Sequence, residues 1–110
     1  MAEPKKELQE KINKLSSMEQ SLQSFLAQKQ TFQTQLLEIT SALEELEKAT
    51  TAYKIVGNVM VNADKDQLTK ELKQKREMVE LRVKSIEKQE EKTREKTSEL
   101  QEQVMKEMSE

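Results

Sequence analysis

The sequence predicts a mostly α fold: a long antiparallel two-helix coiled coil with a β-hairpin at its centre. Three observations point there. Two long segments carry heptad-spaced apolar residues, a short β-branched stretch between them holds the only Gly, and the two heptad series share one midpoint inside that stretch.

Composition sets the frame. Charged residues make up 36% of the chain and aromatics 3%, with one Gly and one Pro in 110 residues. Such a chain suits long helices around a seam, not a compact globule, so one domain spanning 1–110 is expected. The formal net charge of −2 provides no general attraction to nucleic-acid phosphates or to acidic membranes. No Cys is present, which rules out disulfide and thiolate sites and suits a reducing compartment. No run is apolar enough to span a bilayer and the N-terminus lacks a secretory h-region, so a cytoplasmic protein is the default expectation.

The chemistry of catalysis is missing from the inventory. Without His there is no imidazole ligand, triad or proton shuttle. A single Gly cannot build a P-loop or a dinucleotide fingerprint. Acidic pairs such as Glu44-Glu45 and Glu90-Glu91 fall on solvated helix faces with no concave pocket to make them acid and base. No catalytic residue, cofactor or metal ligand is expected, and the chain should not be an enzyme.

Pro4 fits the first turn of the first helix, expected over about 4–49, where its missing N–H costs nothing. Leu8, Leu15, Leu22, Leu36 and Leu43 then recur every seven residues, with Lys29 at the skipped step. Lys11, Met18, Phe25, Phe32, Ile39 and Leu46 follow them three residues later, completing an a/d seam over more than five heptads. Ile12 and Leu26 widen the apolar stripe. Thr50 and Thr51 are poor helix formers and should end the helix near Ala49. At about 1.5 Å per residue it would be roughly 70 Å long.

Tyr53-Lys54-Ile55-Val56-Gly57-Asn58-Val59-Met60-Val61 breaks the heptad pattern. Gly57-Asn58 tolerates positive φ, so a two-residue turn would place Val56 opposite Val59, Ile55 opposite Met60, Lys54 opposite Val61 and Tyr53 opposite Asn62. One face of that hairpin, expected over about 52–61, carries Tyr53, Ile55 and Met60. The other carries Val56, Val59 and Val61. A two-stranded hairpin is marginal alone, and two apolar faces call for partners. The alternative is a loop whose apolar residues pack back on the helices.

The second helix is expected over about 65–108. Asp64 with Gln67 resembles a capping box, and Asp66 suits the first turn. Its d positions are Leu72, Val79, Ile86, Thr93 and Leu100; its a positions are Arg76, Val83, Glu90, Thr97 and Val104. Charges alternate from Lys84 to Lys96, as on a salt-bridged solvated face; a nucleic-acid patch is the weaker reading. Leu43 with Leu72, Leu36 with Val79, Phe32 with Val83 and Leu15 with Leu100 are all centred between Gly57 and Asn58. Farther from the hairpin the layers turn mixed: Lys29 faces Ile86, Phe25 faces Glu90, Leu22 faces Thr93 and Met18 faces Thr97. Unpaired polar groups in a seam are costly, so this half is expected to be looser and able to part. Met105 lies off the seam and is expected to be exposed.

Set between arms of matching length, the Tyr53–Val61 stretch resembles the β subunits of prefoldin. Ala42-Leu43-Glu44-Glu45-Leu46, Leu81-Arg82 and Glu87-Lys88-Gln89-Glu90-Glu91 resemble the archaeal type, and the resemblance covers nearly the whole chain. One departure is Ala49-Thr50-Thr51-Ala52, where that family often has acidic residues. The resemblance implies an ATP-independent chaperone in which two α and four β subunits form a hexamer. Their hairpins join as an oligomeric β-barrel body, and the coiled-coil tips hold non-native polypeptides for a group II chaperonin. Carried onto this chain, Tyr53, Ile55, Val56, Gly57, Asn58, Val59, Met60 and Val61 would serve assembly. Leu8, Ile12, Leu15, Leu100, Val104, Met105 and Met108 would face clients. The competing class is a structural coiled-coil scaffold or tether docked through its hairpin; a nucleic-acid-binding arm is a third.

Overall fold

The computed structural model describes residues 2–109, in the order α1 (Ala2–Lys48), β1 (Ala52–Val56), β2 (Val59–Ala63) and α2 (Lys65–Ser109). These bounds lie within a few residues of those expected from periodicity and turn chemistry. The chain divides into two compact units. A terminal unit comprises Met1–Lys29 and Ser85–Glu110, and a hairpin unit comprises Gln30–Lys84. Both helices contribute to each unit.

In the hairpin unit, β1 and β2 pair antiparallel in the register set by the Gly57-Asn58 turn: Val56 with Val59, Ile55 with Met60, Lys54 with Val61, Tyr53 with Asn62 and Ala52 with Ala63. The hairpin thus extends two residues beyond Val61, and the loop alternative is excluded. Gly57 adopts φ +62°, whereas no other described residue has positive φ. Only the first turn residue enters the left-handed region, which matches a II′ turn and leaves Asn58 in ordinary backbone space.

The buried positions of this unit are Ile39, Val79, Val83 and Ala52. The first three are seam positions, and Phe32 at the edge of the seam lies 5.8 Å under the Arg82 guanidinium, within cation–π range. Ala52 starts β1 at the hairpin's root. The last turn of α1 tightens, with Ala49 N–H donating to the Leu46 carbonyl at 3.2 Å. Lys65, the first residue of α2, donates through Nζ to the carbonyls of Ala49 at 2.9 Å and Glu47 at 3.3 Å. A lysine thereby caps the negative end of the helix that precedes it by a whole hairpin.

The expected capping box at α2 does not form. The Gln67 amide donates instead to Glu71 Oε1, at 3.3 Å along its own helix. Asp64 contributes its carbonyl, which accepts the Leu68 N–H at 2.9 Å.

In the terminal unit the buried positions are Ile86, Glu90, Thr97 and Val104, spaced four, seven and seven residues apart on one face of α2. Two of these four are polar, as the heptad assignment indicates. They are not unpaired. Lys29 Nζ donates to Glu90 Oε1 at 2.9 Å, and Arg94 approaches Oε2 of the same carboxylate at 3.6 Å. Thr97 Oγ1 donates to the Thr93 carbonyl at 2.7 Å and sits 3.5 Å from Met18 Sδ, in the layer expected for that pair. No buried side-chain N or O among the described residues lacks a partner. The premise that unpaired polar groups loosen this half is therefore corrected: the layers are mixed in composition but satisfied.

Candidate functional site

The hairpin gathers six exposed large apolar residues within nine positions. Tyr53, Ile55, Val56, Val59 and Met60 are each more than half exposed, and Val61 is exposed at 40%. Strand alternation puts Tyr53, Ile55 and Met60 on one face and Val56, Val59 and Val61 on the other, as expected. Neither face is covered. The sheet has only two strands, so both outer edges also present free backbone donors and acceptors. Lys54, on the valine face, lies 3.7 Å from Glu71 on α2, an exposed ion pair at the hairpin's base.

Beside that base an open groove of about 500 Å³ runs between the helices and β1, lined by Ala42, Leu46, Ala49, Ala52, Tyr53, Leu68 and Leu72 among others. Glu45 and Thr51 share the lining with these apolar residues. Among the described residues no cluster of three or more His, Cys, Asp or Glu could hold a metal ion. The surface can bury apolar area and extend a sheet, which is the chemistry of assembly.

The seven residues assigned to client contact separate into three groups. Ile12, Met105 and Met108 are exposed, at 38%, 72% and 67%. Leu8, Leu15 and Leu100 are half-buried. Val104 is buried, because its a position faces into the helix pair. Sequence periodicity already separates these cases: Met105 follows an a position, and Val104 occupies one. Lys11 and Glu107 form a further ion pair in the same unit.

Several exposed apolar residues escaped the heptad assignment. Leu37, Met78 and Leu81 in the hairpin unit are 69%, 56% and 61% exposed. They occupy the b, c and f positions of the heptads, and a count restricted to a and d passes over them. Lys65 also escaped notice, since nothing in a local window shows that its amine will reach the end of the other helix.

A helix pair whose connecting hairpin is apolar on both faces presents a surface suited to assembly. A family model described as "Prefoldin subunit" matches residues 9–110. The prefoldin β subunit of Archaeoglobus fulgidus is 36% identical over 107 residues, covering 94% of this chain and 92% of that protein. The prefoldin β subunit of Thermococcus onnurineus is 40% identical over 101 residues, covering 89% and 87%. The crystal structure of the prefoldin β subunit from Thermococcus strain KS-1 superposes with a TM-score of 0.84 at 38% identity, covering 91% of this chain and 90% of that one. The chain belongs to the prefoldin subunit family. That is a chaperone family, not an enzyme family, and its members form complexes with other prefoldin subunits. No helix among the described residues is long and apolar enough to cross a membrane.

Proposed function

We propose that this chain is the β-type subunit of an ATP-independent cytoplasmic holdase, gathered through its hairpin with an α-type subunit and further β copies into a hexamer of two α and four β. Its helix pair holds non-native polypeptides near the chain termini and passes them to a group II chaperonin. The observation that carries this reading is the hairpin, apolar on both faces and covered on neither. Fully burying a side chain such as Ile55 or Met60 is worth roughly 1.5–3 kcal/mol, so six of them in a shared body supply ample drive for assembly.

For client contact the exposed Ile12, Met105 and Met108 are the first to meet an unfolded chain. Methionine suits a surface that must adapt to varied partners. Leu8, Leu15, Leu100 and Val104 join them only where the helices part. Weak contacts repeated on several subunits add by multivalency, which allows both holding and transfer.

The test is light scattering from an unfolding client without nucleotide, using this chain alone and with an α-type subunit. Suppression by the mixture supports the holdase. The triple variant Ile12→Ser, Met105→Ser, Met108→Ser should lose that suppression while keeping its assembled size by sedimentation. No suppression by the intact mixture would favour the scaffold reading, which the burial of Val104 and half-burial of Leu8, Leu15 and Leu100 otherwise suit.

A further inference from the structure

The terminal unit holds two ion pairs between α1 and α2, and they have the same polarity. Lys29 on α1 meets Glu90 on α2 at 2.9 Å, with side-chain exposures of 20% and 5%. Lys11 on α1 meets Glu107 on α2, at 28% and 37%. All four occupy a or d positions of their heptads, where an apolar residue is the rule. The charges are segregated by helix: in this unit, every charged a or d position of α1 is a lysine and every one of α2 is a glutamate.

Stability does not explain such an arrangement. A buried ion pair is often no better than apolar residues of similar size, and its best-attested use is to specify pairing. Nor is register within one chain the need, because the Gly57 turn already sets it. The need arises when copies gather through their hairpins. Identical helices then compete as partners at high local concentration, and the leucine and valine layers would accept several of them.

We propose that Lys11, Lys29, Glu90 and Glu107 form a pairing code that makes α1 close on α2 and rejects like helices of neighbouring copies. An α1–α1 pair would bury lysines with no carboxylate, and an α2–α2 pair would bury glutamates with no amine. Either leaves a desolvated charge without its counter-ion, and a glutamate as enclosed as Glu90 makes that costly. The inference rests on assembly through the hairpin.

The chain lacks Cys, so introduced pairs report pairing without background. Leu22→Cys with Thr93→Cys places two thiols in one expected layer of the terminal unit. In the otherwise native chain, oxidation should give almost wholly intrachain disulfide. Changing Lys11, Lys29, Glu90 and Glu107 all to Leu should keep the helices folded yet shift the product toward interchain disulfide. The charge-swapped variant, Lys11→Glu, Lys29→Glu, Glu90→Lys and Glu107→Lys, should restore the intrachain product. Interchain product no higher in the all-Leu variant than in the native background overturns the code. So does a swapped variant that pairs as loosely as the all-Leu one. Sedimentation of the native chain reads assembly separately, so a monomer there would count against the hairpin reading while the disulfide comparison at matched concentration still judged the code.

Discussion

The terminal unit and the hairpin unit are built from the same helices but spend their apolar residues in opposite ways. In the hairpin unit the seam is apolar at Ile39, Val79 and Val83, and a second apolar surface, the strands, is left in solvent. In the terminal unit half of the buried positions are polar, and exposed large apolar residues are few: Ile12, Leu26, Met105 and Met108. Six exposed apolar side chains, three on each face of one hairpin, mark a surface suited to an interface. A satisfied polar layer contributes little net stability but discriminates between partners. On the reading proposed above, one unit gathers copies and the other keeps each copy's helices to themselves.

The sharpest way to break the contrast is to remove the hairpin's reason to assemble. Ile55→Lys with Val59→Lys puts one charge on each apolar face. Assembly should be abolished in sedimentation, while helix content by circular dichroism stays close to native, because neither residue packs on α1 or α2. A variant that still formed native-sized oligomers would move the assembly surface elsewhere, to the groove beside Ala52 or to Leu37, Met78 and Leu81.

The next comparison sets one ion pair of each unit against the other. Lys29→Ala removes the partner of a 5%-exposed carboxylate. It should cost about 3 kcal/mol in chemical denaturation, at the low end for breaking a buried pair because Lys29 is itself partly solvated and Arg94 remains nearby. Lys54→Ala removes a pair whose members are 51% and 43% exposed, and should cost under about 1 kcal/mol. Both are best measured in the Ile55→Lys, Val59→Lys background, where loss of assembly cannot mask the local effect. Equal costs would mean that Glu90 reaches water when the helices breathe, and the two units would differ less than burial indicates.

Much of this was legible in the sequence, for identifiable reasons. Heptad phase in both arms and the Gly57-Asn58 turn agree on one midpoint, so strand register and helix bounds follow from local rules. The hairpin's exposure was legible too, because no other segment could cover it. What the sequence hid is where long side chains reach. Phe25 opposite Glu90 looks like an unpaired burial when layers are read straight across, but a lysine stem spans to the next layer and brings Lys29 to the carboxylate. Lys65 behaves likewise, crossing from the start of α2 to the carbonyls that end α1. Gln67 erred the other way: in a capping box its amide oxygen would accept the Asp64 N–H, yet its side chain lies along its own helix and donates through Nε2 to Glu71. The division of the client-contact candidates was half legible, since the heptad puts Met105 outside and Val104 inside, while the half-burial of Leu8, Leu15 and Leu100 depends on how closely the helices approach.

A smaller effect than that of Lys29→Ala tests whether the turn alone sets the hairpin's shape. Gly57 has φ +62°, and a Cβ added there would meet nothing within 4 Å. Gly57→Ala therefore introduces no clash with a neighbour, and its cost is the backbone strain of holding an L-residue in the left-handed region, about 1–2 kcal/mol. Gly57→Asn should cost less, because asparagine enters that region by bonding its own backbone. In the non-assembling background the order of stability by denaturation should be Gly, then Asn, then Ala, with helix content unchanged. If the hairpins assemble as proposed, the assembly should amplify the same order, since every copy would contribute one strained turn. If Ala proved neutral, the turn would be free to adopt a different geometry, and the strand register would have to be held from the Ala52–Ala63 end, where the helices anchor the strands.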